Sequence, residues 1–394
     1  MSGVVANPFD QLAEGVIQRP WRARRLEQPV TPAELPTPAL TLSRTALSSN
    51  IERMSTHLSS AGKQARPHCK THKCPEIAHL QMRAGAVGVC CAKLSEAIVM
   101  LSAGIESVLI TSPLVSASKI SLLNRILQLQ SDSTCLSLVV DSERGLNLLE
   151  EAISGPCSLQ ILIDLDIAMG RTGARDDDLV LRLIDRIDAH NHLHFAGFQH
   201  YAGHLMHLAG FDQRRRASLE LWNNVIERIE RFGISYEILT GSGTGTFDID
   251  TEVDEITDLQ VGSYTLMDEE YRLIGSPKSD RFTPFEVALH IQTTAISQPS
   301  PATITLDAGY KAMASETVMP VCDDLAETKF RFAGDEHGVL VGEAARQGIV
   351  LGDVVKLVSP HCDPTVNLHD WYWVVDDDGL IRESWPISAR GCSW

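Results

Sequence analysis

From about residue 44 to about residue 285 the sequence alternates short apolar runs with longer helix-like stretches, and that rhythm restricts the fold more than any other feature. The runs are ARPHC near 65, AVGVC near 86, SVLIT near 107 and CLSLVV near 135, then LQILIDLD near 159, HFAGFQHY near 194, YEILTG near 236 and LQVGSYTL near 259. Amphipathic segments such as KLSEAIVMLSAG, ASKISLLNRILQLQ and DDDLVLRLIDRIDAH separate most of them. Strand and helix alternating through eight units over about 240 residues predict a closed parallel (β/α)8 barrel spanning 44–285. The weakest link is the last one, Phe247 to Asp258, which is short for a helix.

Past residue 285 the texture changes. EVALHIQTTAISQ, PATITLDAG, VLVGE, DVVKLVSP and DWYWVV are rich in β-formers and poor in helical periods. They predict a second, mostly β domain over 286–394, to which residues 1–43, with PALTLS, add a strand.

Composition narrows the function classes. The 394 residues are 44% hydrophobic and 22% charged, which is the make-up of a folded globular protein with sizeable cores. A formal charge of −17 speaks against a nucleic-acid binder, whose affinity rests on clustered positive charge. No run of eighteen apolar residues is present, so no membrane span is expected. The first thirty residues lack a continuous apolar stretch and do not read as a secretory signal; the basic RPWRARR leaves an organelle address as the alternative, although the segment also holds Asp10 and Glu14. Nine scattered cysteines without a C-x-x-C pair suggest reduced thiols and a cytoplasmic protein.

In a barrel of this kind chemistry collects at the C-terminal strand ends, with phosphate groups often held after strands seven and eight. The unusual residues fall there: HCKTHK after the first strand, DLDIAMGRTG after the fifth, QHYAGH after the sixth, TGSGTGT after the seventh and QVGSY in the eighth. Thr240–Thr246 is a glycine- and hydroxyl-rich loop with no acidic side chain, suited to a phosphate dianion. It is not a Walker loop, since no lysine follows the glycines. A phosphate site and a strand-end lysine in one barrel point to pyridoxal phosphate, which needs an amine. On an extended strand His68 and Lys70 share a face and Cys69 points the other way, which puts Lys70 at the barrel mouth with His68 below it. A metal-dependent hydrolase using His68 and His72 as ligands, and a non-catalytic cofactor carrier, are the competing classes.

RPHCKTHK together with GVCCAKLSEA closely resembles the D-threonine aldolase and D-serine dehydratase family, pyridoxal phosphate enzymes of the alanine-racemase-like fold. The resemblance continues in order through DLDIAMGRTG, TGSGTGTFD, LQVGSYTLMDEEY, GDEHGVL, HCDPTVNLHDWY and WPISARG, nearly the whole chain. It implies a homodimer of two-domain subunits with active sites near the interface. Lys70 then resembles the lysine that binds the cofactor covalently, with His68 assisting as a catalytic residue. Ser242, Gly243, Thr244, Gly262 and Ser263, with neighbouring Tyr264, would cradle the phosphate. Tyr201 or His200, and Gln260, would lie against the pyridine ring, and Arg171 near the phenolic oxygen.

The second distinctive element is His361-Cys362-Asp363. In an extended segment His361 and Asp363 point to one side, an incomplete cage that leaves positions for water and substrate, as a catalytic metal requires. The resemblance agrees: family members bind a divalent metal through this pair. Aldolase-type members have H-x-D, whereas the D-serine dehydratases typically have H-x-C. The carboxylate here suits Mn2+ or Mg2+ as well as Zn2+. The implied activity is cleavage of a D-3-hydroxy amino acid such as D-threonine to glycine and an aldehyde. A 3-hydroxy-D-aspartate aldolase, or a D-serine or 3-hydroxyaspartate dehydratase using the same site, is the alternative.

Overall fold

Two sheets divide the chain between them in the computed structural model, which describes residues 22–129, 133–155, 158–167, 169–325, 328–342 and 348–394. Strands β1 (Arg24–Val30) and β2 (Ala39–Ser43) come first but belong to the second sheet. Next come β3 (Gln64–Ala65), β4 (Val89–Cys91), β5 (Ser107–Ile110), β6 (Cys135–Val140), β7 (Leu159–Asp164), β8 (Leu193–His200), β9 (Ile238–Gly241) and β10 (Asp258–Leu259). These form an 8-stranded sheet in the order β3-β10-β9-β8-β7-β6-β5-β4, every pair parallel. Its ends meet. The chain beyond β3 stays extended to His68, which bridges to Cys90 in parallel. Cys90 N–H donates to Pro67 O and Cys69 N–H to Cys90 O, both at 2.8 Å. The barrel predicted from the eightfold rhythm therefore closes, and each of the eight apolar runs supplies one strand.

Helices α1 (Arg44–Ser60), α2 (Pro75–Arg83), α3 (Leu94–Ser102), α4 (Ala117–Leu127), α5 (Glu143–Ala152), α6 (Asp177–Asp188) and α7 (Phe211–Phe232) link the strands. In α6 the buried residues are Val180, Leu183, Ile184 and Ile187, one stripe at helical spacing. Ser142 caps α5 and Asp176 caps α6, each accepting a backbone N–H of its first turn. The weak last link is one four-residue helix, α8 (Phe247–Asp250). Gly197 permits a close approach of β8 to β9, since a Cβ there would lie 1.9 Å from the Ile238 carbonyl oxygen.

Side chains alternate in and out along each strand. Cys90, Leu109, Val139, Leu162, Ala196 and Ile238, one from each of β4 to β9, meet as an apolar ring inside the barrel. Two residues further on, the inward positions turn polar: Asp164 on β7, and Thr240 at the end of β9, lie toward the mouth.

The second sheet takes its remaining strands from the chain after the barrel: β11 (Leu289–Ser300), β12 (Thr303–Leu306), β13 (Lys329–Phe332), β14 (Gly338–Val341), β15 (Val354–Val358), β16 (Trp371–Val375) and β17 (Ile381–Pro386). It is 9-stranded and runs β1-β17-β16-β2-β11-β12-β14-β13, with β15 on β11. The long β11 pairs antiparallel with β2, Leu289 opposite Leu42, so chain from before and after the barrel meets in one sheet. Short helices α9 (Glu269–Arg272) and α10 (Cys362–Val366) join this sheet to the barrel mouth. Among the described residues no helix is long and apolar enough to cross a membrane.

Candidate active site

The HCKTHK segment leaves the strand earlier than its alternation suggests. Residues 69–72 form turns, so Lys70 projects from a turn, and the shared-face argument for His68 and Lys70 does not apply. What ties the two residues is a local hydrogen bond: Lys70 N–H donates to His68 Nδ1 at 3.3 Å. A backbone N–H can only donate, so Nδ1 is the acceptor and the ring proton sits on Nε2. Nε2 faces Thr111 Oγ1 at 3.1 Å, and that hydroxyl donates to Cys91 O at 3.3 Å. Burial, and then the Lys70 ammonium, hold His68 well below the usual imidazole range, so it is neutral. His72 is set the same way, its Nδ1 accepting Cys74 N–H at 3.1 Å, with burial pushing its pKa down to about 4. Cys69, Cys74, Cys90 and Cys91 are buried free thiols.

Lys70 Nζ is ion-paired with Asp363 Oδ2, which lies across the mouth at the start of α10. Burial would lower the lysine and raise the carboxyl, but each partner outweighs it for the other: Lys70 is held above, and Asp363 below, its ordinary range. The Tyr201 phenol, just past β8, is close enough to act on the Lys70 charge, and the Arg171 guanidinium lies 5.3 Å over the Tyr201 ring. His200 does not face this space. It precedes Tyr201 in the alternation and turns outward, its ring edge-on to Trp222 of α7 at 5.4 Å and its Nδ1 3.3 Å from Leu165 O.

Below the mouth runs a polar layer. Gln260 Nε2 donates to Gln199 Oε1 at 3.1 Å and Thr240 Oγ1 at 3.2 Å, and Gln199 Nε2 donates to Asp164 Oδ1 at 3.0 Å. The amide nitrogen of Gln260 is thus committed to this layer, and the residue is 5% exposed. Tyr264 is 2% exposed; its hydroxyl accepts from Gln81 Nε2 and its ring packs on Phe285, so only its backbone reaches the loop region.

The glycine loop keeps its donors open. Among the described residues no acceptor meets the N–H of Gly243, Thr244, Gly262 or Ser263. Tyr264 N–H donates to Thr244 Oγ1 at 2.9 Å, which ties the loops after β9 and β10 side by side. Ser242 takes a left-handed φ of 69°, uncommon for a residue with a Cβ. Gly262 is needed by space, since a Cβ would lie 2.6 Å from Thr71 Oγ1 in the Lys70 turn. Beneath the loop, buried Asp250 accepts from Thr246 Oγ1 at 2.5 Å and Ser218 Oγ at 2.6 Å, and burial raises its pKa to about 6. Unpaired N–H groups from two adjoining loops, with no acidic side chain within Thr240–Thr246 itself, fit a phosphate.

On the other flank, His361 is extended but Asp363 is helical, so the two are not strand alternates. They are nevertheless brought to one corner, where His361 is close enough to act electrostatically on Asp363 and Ser263 Oγ donates to Asp363 Oδ1 at 3.4 Å. Among the described residues no group of three or more His, Cys, Asp or Glu side chains is placed to hold a metal ion. One imidazole and one carboxylate still fit a divalent cation that completes its shell with water and substrate. Cys362 is buried beside them and His369 is used structurally, its Nε2 2.7 Å from Ala312 O.

The sequence reading missed His207, Asp268 and Glu270. Glu270 Oε2 lies 3.5 Å from His361 Nδ1 and 3.6 Å from His207 Nδ1. Asp268 Oδ1 accepts Tyr271 N–H at 2.9 Å and its Oδ2 accepts Cys362 N–H at 2.8 Å, joining α9 to α10. The signal was the acidic run in MDEEY, whose residues are buried in spite of their charge.

The family model described as "Alanine racemase, N-terminal domain" matches residues 42–269, and the one described as "Putative serine dehydratase domain" matches residues 288–375. The chain is 35% identical to a D-threonine aldolase of Arthrobacter sp over 371 residues, which is 93% of this chain and 96% of that one. It is 32% identical to a 3-hydroxy-D-aspartate aldolase of Paracoccus denitrificans (strain Pd 1222) over 367 residues, 91% and 93% of the two chains. The structure of a D-threonine aldolase from Filomicrobium marinum superposes with a TM-score of 0.87 at 33% identity, covering 94% of this chain and 100% of that one. With a closed parallel barrel, a β domain over its mouth and similarity along almost its whole length, the chain belongs to the D-threonine aldolase and D-serine dehydratase family of alanine-racemase-like, fold type III pyridoxal phosphate enzymes.

Proposed function

We propose that the chain is a lyase that uses pyridoxal phosphate and a divalent metal to cleave D-configured 3-hydroxy amino acids of the D-threonine type into glycine and an aldehyde. The observation that carries this reading is the pairing of Lys70 with Asp363, which places the amine suited to the cofactor directly beside the carboxylate suited to the metal. Lys70 would hold the cofactor covalently through Nζ, and the N–H groups of Gly243, Thr244, Gly262 and Ser263 would hold its phosphate. Arg171 and Tyr201 flank the same space. His361 and Asp363 would hold the metal, with the substrate's 3-hydroxyl completing its shell. When bound, the cofactor supplies a sink for the electron pair left as Cα–Cβ breaks, and the metal supplies Lewis acidity that eases loss of the hydroxyl proton.

The balance requires no redox partner: the hydroxyl loses a proton, Cα gains one and one carbon–carbon bond breaks. His68, neutral and held by Lys70 N–H and Thr111, fixes the turn from which Nζ projects. The carboxylate at position 363, rather than a thiolate, favours the aldolase over the dehydratase reading. Treating the cofactor-loaded protein with a chelator should abolish D-threonine turnover, and Mn2+ should restore it; turnover that survives complete metal removal would sink the metal half of the reading.

A further inference from the structure

We infer that Glu270 is a positioning residue for the metal corner, the acceptor that turns the Nδ1–H of His361 inward and leaves Nε2 free to ligate. The inference rests on the proposed role of His361. Glu270 is buried, and its Oε1 already accepts Thr317 Oγ1–H at 3.1 Å. Its Oε2 faces two imidazoles at once, His361 Nδ1 at 3.5 Å and His207 Nδ1 at 3.6 Å, whose ring centroids are 6.0 Å apart at 90°. His361 Nδ1 is buried with no hydrogen-bond partner. Its separation from Glu270 exceeds a strong hydrogen bond by about half an ångström, within reach of a small ring rotation.

Backbone bonds hold this carboxylate in place. Glu269 N–H donates to Ser359 O at 3.0 Å and Glu270 N–H to Pro360 O at 3.2 Å, while Asp268 caps both α9 and α10. The residues on either side of Glu270 and His361 are therefore fixed to each other before any metal arrives. An anion at Nδ1 favours the proton there, leaves the Nε2 lone pair outward and raises its basicity as a ligand. His207 is edge-on to Tyr271 at 4.6 Å and its Nδ1 faces the same Oε2, so the one carboxylate stands between two rings. An exposed acidic run would do none of this.

The test is Mn2+ binding to the cofactor-loaded protein without substrate, followed by electron paramagnetic resonance of the free ion. Glu270→Ala should weaken Mn2+ binding about ten- to a hundredfold. Glu270→Gln, which can accept the same hydrogen bond without the charge, should recover part of that loss. The cofactor absorption band and the cofactor affinity should stay at parent values in both. Nitrogen-15 spectra of histidine-labelled parent should show His361 protonated at Nδ1, and Glu270→Ala should lose that preference. Mn2+ affinity within twofold of the parent in Glu270→Ala, or a parent His361 protonated at Nε2, would overturn the inference. If the parent binds no Mn2+ but its His361 is protonated at Nδ1, the failure belongs to the metal reading and not to Glu270's hold on the ring.

Discussion

The glycine loop from Gly241 to Thr246 and the corner made by His361 and Asp363 serve the same small space but are built from different material. The loop offers backbone: N–H groups left open by a left-handed Ser242, braced from below by Asp250 and from the side by Tyr264 N–H. The corner offers side chains, and their placement depends on residues far away in the chain, since Asp363 meets Lys70 and Ser263 while His361 faces Glu270. A backbone cradle is drawn from two short loops at neighbouring strand ends and tolerates side-chain change away from its glycines. A side-chain corner needs distant segments to arrive together, so single substitutions at it should separate metal binding from cofactor binding.

The largest effect should come where both halves meet. Lys70→Ala should cut turnover at least about a thousandfold and abolish the covalent cofactor band, because it removes the amine and frees Asp363 from its partner. Full activity with a normal band would show that the pairing is incidental. Next, Asp363→Asn should keep the cofactor band while lowering Mn2+ affinity by roughly a hundredfold or more, read by metal titration. Equal loss of cofactor and metal would erase the distinction between the halves.

Gly262→Val presses on the backbone half from the other direction. Its Cβ would meet Thr71 Oγ1 at 2.6 Å and His68 O at 3.2 Å, so the Lys70 turn must shift. Overpacking of this kind costs about 1–3 kcal/mol, and cofactor affinity should fall about tenfold, with Mn2+ affinity changed less. Cofactor titration by absorbance checks it.

The last test concerns the wall behind the site and leaves catalysis aside. Burial holds His200 neutral, with its pKa lowered to about 4. In the unfolded chain an imidazole titrates near 6.5, so the unfolded state takes up a proton that the fold refuses once the pH drops below that value. The stability is complete above about pH 6.5 and is lost as pH falls toward 4, by up to about 3 kcal/mol. Urea unfolding of parent and His200→Gln across this window should show the parent's advantage shrinking as the pH falls. A constant difference would mean His200 accepts its proton in the fold.

The same contrast between backbone and side chains decides what is legible in the sequence. The strand rhythm and TGSGTGT are local patterns, and each of the eight runs became a barrel strand. Lys70 stands out at a strand end and Asp363 in a family motif, but the strand alternation expected at each does not hold. Lys70 leaves the strand because its own N–H is drawn to His68 Nδ1, and Asp363 enters a helix that Asp268 caps from 94 positions away in the chain. His200 and Tyr201 are adjacent in sequence, and only the bulged register of β7 with β8 decides which one faces inward. Glu270 was not recognisable, because an acidic residue in MDEEY looks like a solvated face until α9 packs against Ser359 and Pro360.

The most direct measurement is product analysis after adding D-threonine to the protein loaded with pyridoxal phosphate and Mn2+. Glycine and acetaldehyde in equal amounts are the predicted result, with the hydroxyl oxygen recovered in the aldehyde. Ammonia with 2-oxobutanoate would contradict the account, and so would unchanged D-threonine in a preparation that cleaves no other D-3-hydroxy amino acid.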